Sequence, residues 1–126
     1  MVVLDTSALL YWSLAPEKLS PNAARVIEEA PQVVISSISI WEIGLKVKRA
    51  KLVLPLPVGE YVTRLRETDR VLIEPVSELT WLKNLDLPWD HKDPADRTIV
   101  ATASLFGCPL ITSDQEIRLF YPDALW

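Results

Sequence analysis

Asp5, Glu42, Asp96 and Asp114 lie in four separate regions of the chain, in the segments VVLDTS, SIWEIGLK, HKDPADR and PLITSD. Asp5 ends one short apolar run, Asp114 follows another by two residues, and Asp93 and Asp96 fall in the first turn of a helical pattern. Three of these regions have an ordinary structural use for their acids. Asp5 and Asp114 suit the N-caps of the helices that follow them, Asp93 before Pro94 is a strong cap, and Asp96 complements the helix dipole. Glu42 is different. Ile38, Trp41, Ile43 and Leu45 surround it at helical spacing, with Ile40 and Val47 on the other side, which predicts a substantially buried carboxylate. Such a group needs a cationic partner or a metal ion, or it gives up its charge. Arg97 is one candidate partner, and a metal is the other. Carboxylates gathered at one place raise one another's pKa unless cations offset them. Hard divalent cations such as Mg²⁺ take oxygen ligands and keep waters for substrate phosphates. Two such ions roughly 3.5–4 Å apart can activate water and stabilise the leaving oxygen of a phosphodiester.

Whether the acids meet depends on the elements that carry them. Residues 2–4, 33–35, 71–73 and 109–112 are short aliphatic runs that read as buried strands, with 124–126 a brief fifth. Between them lie helical patterns. Ser20-Pro21 opens a helix through Glu29, Ser37 or Ser39 caps one running to about Arg49, and residues 58–69 carry a third. Ser77 caps a short helix with Leu79, Leu82 and Lys83, and Asp93-Pro94 opens one that stops on Gly107 in a left-handed conformation. The proline-rich stretch LVLPLPVGE, residues 52–60, reads as a loop. Strands alternating with helices predict a parallel sheet covered on both faces, hence one three-layer α/β domain over residues 1–126. Ligands of such a sheet bind outside the carboxyl ends of the strands, where the four acid regions are directed.

Composition narrows the function classes. The chain is 49% hydrophobic with ten prolines and three glycines, too apolar for disorder and without a run long enough to span a membrane. The N-terminus lacks a basic region and carries Asp5, which argues against a signal peptide. A single cysteine, Cys108, excludes an internal disulfide and suits the cytoplasm. His91 is the only histidine, so a multi-histidine zinc site is excluded, and no nucleophile elbow accompanies it. No phosphate-binding G-x-x-x-x-G-K-[ST] loop occurs. The net charge of −4 runs against nucleic-acid binding, unless metal ions rather than the protein's own charge meet the phosphates.

Over essentially the whole chain, VVLDTSALL, the WEIGLK segment around Glu42, HKDPADRTIVATA and PLITSD together resemble the PIN-domain nucleases. More narrowly, they are similar to VapC-type toxins of toxin–antitoxin pairs, in the subgroup with an H-x-D-P-x-D-R motif. The ordered set carries the resemblance, since D-T-S-A alone is four common residues. It implies a PIN-like sandwich with a five-stranded parallel sheet of order 3-2-1-4-5 flanked by helices, and a Mg²⁺- or Mn²⁺-dependent endoribonuclease. Asp5 and Asp96 would then be the main metal ligands, and Asp114 and Glu42 would complete the cluster. Thr6, Ser7 and Thr112 would support the carboxylates or the scissile phosphate. The family pattern favours Asp96 over Asp93 as ligand, leaving Asp93 as the cap. The chemistry implied is in-line attack of water on phosphorus, leaving 5′-phosphate and 3′-hydroxyl ends. Implied partners are an RNA substrate, a cognate antitoxin and a second copy in a homodimer, with Tyr11, Trp12 and Leu14 as candidate contacts.

Several features stay open between two uses. Lys46, Lys48, Arg49 and Lys51 form the only dense basic run, suited to the C-terminal helix dipole or to contact with RNA or an acidic antitoxin segment. Arg97 either holds a carboxylate in place or contacts phosphate. The competing classes are a DNA-directed metal nuclease, sharing the same phosphodiester chemistry, and a silent partner-binding module, against which the intact acids speak. A haloacid-dehalogenase-like phosphatase would need a second aspartate where Ser7 stands.

Overall fold

The computed structural model describes all 126 residues. Five parallel strands form its centre: β1 (Val2–Leu4), β2 (Val33–Ser36), β3 (Val71–Glu74), β4 (Leu110–Ile111) and β5 (Ala124–Leu125), in the order β3-β2-β1-β4-β5. The register pairs Leu4 with both Ile35 and Ile111, and Ser36 with Glu74. Asp5, Ser36, Glu74 and Thr112 therefore stand together at the carboxyl edge. The chain winds outward from β1 in one direction through β2 and β3 and in the other through β4 and β5. That reversal puts the crevice beside the carboxyl end of β1.

Alternation along the strands divides the core. Val2, Leu4, Val33 and Ile35 point to one face, under α1 (Thr6–Leu14), α2 (Pro21–Glu29) and α4 (Val58–Glu67), which contribute Leu9, Ile27 and Leu65. Val3, Val34 and Leu110 point to the other, under α6 (Pro94–Phe106) and α7 (Gln115–Phe120), which contribute Ile99, Val100 and Ile117. α3 (Ser37–Lys48) sends Ile43 into the first cluster and packs Ile38 against the second. α5 (Glu78–Asp86) lies against α6, and Pro16–Lys18 form a short 3₁₀ turn. This is the α/β sandwich with strand order 3-2-1-4-5 that the motifs imply.

Caps set the helix starts. Ser20 and Asp93 cap α2 and α6 with Pro at the first helical position, and Gly107 ends α6 at φ 63°, where a side chain would be strained. Two caps differ from the sequence reading. α3 is capped by Ser36, whose Oγ accepts from Ile38 N–H at 3.3 Å, because the strand turns into the helix one residue before Ser37. Ser77 precedes α5 but makes no side-chain cap to the backbone. No helix is long and apolar enough to cross a membrane.

Candidate active site

Asp5 is the most enclosed of the four acids, at 6% exposure. The backbone turns from β1 into α1 at this residue. One carboxylate oxygen, Oδ1, caps α1 by accepting Ala8 N–H at 2.8 Å. The other, Oδ2, accepts the Thr112 hydroxyl at 2.5 Å, and Thr112 Oγ1 in turn accepts Asp114 N–H at 3.0 Å. Thr112 at the end of β4 thus ties the Asp5 carboxylate to the Asp114 backbone. Burial pushes the Asp5 pKa from 3.8 up to about 6 against these two hydrogen bonds, and the charges of Asp96 and Asp114 push in the same direction.

Asp96 reaches the same place from α6. Its pKa is raised, chiefly by burial, and the charges of Asp93 and Asp114 add to the rise while a hydrogen bond from His91 opposes it. Asp114 caps α7 through Oδ1 to Ile117 N–H at 3.0 Å and is otherwise exposed. Asp93 spends its Oδ1 on Ala95 N–H at 2.9 Å and Asp96 N–H at 3.0 Å, which makes it the cap of α6. Asp5, Asp96 and Asp114 are therefore close enough for their charges to act on one another. Glu42 makes no side-chain contact with these three acids; it accepts a short hydrogen bond from the hydroxyl of Thr6, the residue after Asp5, and that hydroxyl also lies 2.9 Å from Ser39 Oγ. Ser7 is exposed on the first turn of α1.

The family model of the PIN domain matches residues 2–121. The chain is a PIN domain. It is 34% identical over 119 residues to Ribonuclease VapC22 of Mycobacterium tuberculosis, an alignment covering 93% of this chain and 89% of that one. A toxin–antitoxin complex from Klebsiella pneumoniae superposes with a TM-score of 0.69 at 20% identity, over 100% of this chain and 97% of the other. FitAcB from Neisseria gonorrhoeae does so at 0.63 and 20%, over 100% and 96%. At that identity the two structures bear on the fold.

Two expectations about this PIN domain are corrected. Glu42 is half-buried rather than substantially buried, because Trp41 beside it turns outward, 57% exposed, and opens that side of α3. Glu42 also makes no ion pair with Arg97. The Arg97 guanidinium neither holds a carboxylate nor faces the site. It donates to Asn84 Oδ1 at 3.2 Å, to Asn84 O at 2.5 Å, to His91 O at 3.2 Å and to Trp89 O, pinning residues 84–91 onto α6. The Asn84 carbonyl lies in the last turn of α5, where it also accepts Leu87 N–H, and those of Trp89 and His91 lie beyond the helix, so Arg97 serves carbonyls that have no intrahelical partner.

The sequence does not single out His91 and Glu116 as a pair. His91 Nε2 lies 2.8 Å from Asp96 Oδ2, and its Nδ1 lies 2.8 Å from Glu116 Oε2. Its ring stacks on Trp89 at 4.6 Å, and Trp89 stacks on Phe120 at 4.7 Å. Hydrogen bonding to Asp96 raises the His91 pKa, and the charges of Asp96 and Glu116 raise it further. The imidazole thus bridges α6, whose first turn carries Asp96, and α7, which Asp114 caps. Only the first-turn position of Glu116, two residues after Asp114, hints at this.

All the site acids offer oxygen donors, the set a hard divalent ion selects. No three of the chain's Asp, Glu, His or Cys side chains close around one point as an all-protein cage would. Mg²⁺ does not require such a cage, since it binds through one or two carboxylates and retains waters. Asp5 and Asp96 retain lone pairs beyond the hydrogen bonds described, and a cation there would relieve the repulsion that lifts their pKa values. The residues fit a divalent ion.

Proposed function

We propose that the chain is a Mg²⁺-dependent endoribonuclease (Mn²⁺ being an alternative ion), the toxin of a toxin–antitoxin pair acting in the cytoplasm. The observation that carries this is the Asp5 carboxylate, buried and raised to about 6 beside two further acids at the carboxyl edge of the sheet. Asp5 caps α1 and accepts the Thr112 hydroxyl, but those two hydrogen bonds do not offset its burial, so the acid is kept at a cost. Asp5 and Asp96 would be the main holders of the ion, with Asp114 and Glu42 completing the set directly or through water. When bound, the ion would lower the pKa of water and stabilise charge on the phosphate oxygens.

The chain's own residues prepare the site. Thr112 and the Ala8 N–H fix the Asp5 carboxylate plane, and Thr112 orients the Asp114 backbone. His91 holds one oxygen of Asp96 and leaves the other free. Thr6 and Ser39 fix Glu42 at the mouth of the site, where an acid can accept a proton from water or orient it. The mycobacterial relative is a ribonuclease by name, which favours RNA over DNA.

Two surfaces fit protein partners. A groove of about 380 Å³ between α1 and α4, lined by Trp12, Leu14, Leu56, Tyr61, Arg64 and Leu65, suits an antitoxin segment with apolar anchors. The similar Klebsiella structure is a toxin–antitoxin complex, which is consistent with such a partner. α5 is amphipathic in the inverted sense. Thr80 and Asn84 are buried against α6, while Leu79, Leu82 and Leu85 are 64%, 62% and 78% exposed, and Leu105 and Phe106 of α6 extend the patch. We assign the homodimer to this face. The nuclease reading is tested by incubating purified protein with labelled single-stranded RNA. Cutting in Mg²⁺ that stops in EDTA and leaves 5′-phosphate ends supports it. Calorimetry showing no bound metal, together with intact RNA, would leave a silent binding module.

A further inference from the structure

Lys46, Lys48 and Arg49 are one basic run in the sequence, but the helix separates them. At about 100° per residue, Lys46 and Arg49 follow Glu42 at i+4 and i+7, so the three share one stripe of α3 and its C-cap. Lys48 instead follows Trp41 at i+7, on the outward side of the helix. α3 starts at the carboxyl edge of the sheet and runs away from it. With a rise of about 1.5 Å per residue, Lys46 stands about 6 Å and Arg49 about 10 Å beyond Glu42 along the axis. None of the three cations is paired. The ion pairs of the chain are Arg25–Glu29, Arg64–Glu60 and the two contacts of His91. The helix dipole favours cations in the last turn but does not choose a face.

We propose that Lys46 and Arg49 form a phosphate track for single-stranded RNA leading from the acid site along α3, and that Lys48 lies outside it. The inference rests on the ribonuclease reading. The stripe begins at Glu42, which is bonded to the neighbour of Asp5, so a strand whose scissile phosphate reaches Asp5 lays its adjoining phosphates on it. This also reconciles RNA binding with a net charge of −4, because the track is local and carries no acid beyond Glu42. An acidic protein segment has no need to enter at the acid edge, which is why RNA is the favoured occupant.

The test is fluorescence anisotropy of a short labelled single-stranded RNA, in EDTA so that nothing is cut, over roughly 50–200 mM salt. Each phosphate contact on a single strand adds about 0.7 to the slope of log K against log salt. Lys46→Ala and Arg49→Ala should each flatten the slope by about 0.7, and Lys48→Ala should leave it unchanged. In Mg²⁺, the first two should raise KM for RNA cleavage with kcat unchanged. Circular dichroism confirms that each variant is folded. Equal flattening by all three substitutions would show a diffuse field and overturn the track, as would no flattening by any. If Lys46→Ala and Arg49→Ala lose binding to poly-glutamate but bind RNA as the parent does, the stripe receives an acidic protein segment. The track is then refuted and the ribonuclease reading stands. If the unsubstituted protein neither binds nor cuts RNA, both fall.

Discussion

Replacing Asp5 by Asn should remove activity and make the metal-free protein more stable. Asp5 has a pKa raised from 3.8 to about 6, so the folded chain holds this proton more tightly than the unfolded chain does. For a raised acid, the stabilising contribution is complete below pH 3.8 and is lost as pH climbs through about 6. Over that interval, at about 1.36 kcal/mol per pH unit, the ionised carboxylate costs about 3 kcal/mol by pH 8. Asn has the same shape and no charge. Its oxygen can keep the Ala8 N–H, and its amide can donate to Thr112 Oγ1, which now acts as acceptor. In EDTA, Asp5→Asn should therefore melt roughly 10 °C above the parent at pH 8 and near it at pH 4. Added Mg²⁺ should raise the Tm of the parent at pH 8 and leave the variant unmoved. The assay is thermal unfolding by circular dichroism at both pH values. A variant no more stable than the parent at pH 8, or a gap of the same size at pH 4, would refute the reasoning.

Other consequences are as direct. His91 is the only histidine, so its ring-proton NMR titration needs no assignment; the midpoint should lie above 6.5 and fall in Glu116→Gln, and a midpoint at or below 6.5 would remove the bridge. The imidazolium's ion pairs with Asp96 and Glu116 stabilise the fold fully below 6.5 and are lost as pH rises through the raised pKa. Arg97→Ala should lower stability by about 3 kcal/mol in urea denaturation, because it strands carbonyls in residues 84–91; a change under about 1 kcal/mol would contradict the clamp. Leu82→Glu should convert a dimer to a monomer in sedimentation with the fold intact, and an unchanged sedimentation coefficient would move the interface elsewhere.

Much of the architecture was legible because local signals agreed with one another. Ser20-Pro21, Asp93-Pro94 and Gly107 bracket helices by their backbone chemistry alone, and aliphatic runs such as Val2-Val3-Leu4 are largely β-branched and too short for a buried helix, so they read as strands. What the sequence hid depends on which way a helix turns. The environment of Glu42 looks apolar all round when read linearly, yet Trp41 faces out. α5 has the leucine spacing of a core helix and packs by Thr80 and Asn84 instead, a choice that Arg97 and Asn84 make together across α6. The His91–Glu116 contact joins residues 25 positions apart through a ring stack that no local pattern announces. Acids at strand ends could be found by topology, whereas their supports required the packed structure.

The most direct measurement is cleavage of labelled single-stranded RNA in Mg²⁺ by the unsubstituted protein, Asp5→Asn, Asp96→Asn and Asp114→Asn, each first shown to be folded. Cutting by the unsubstituted protein that disappears in all three variants is the predicted result. Cutting that persists in Asp5→Asn at the parent's rate would contradict a catalytic metal site at the carboxyl edge of the sheet.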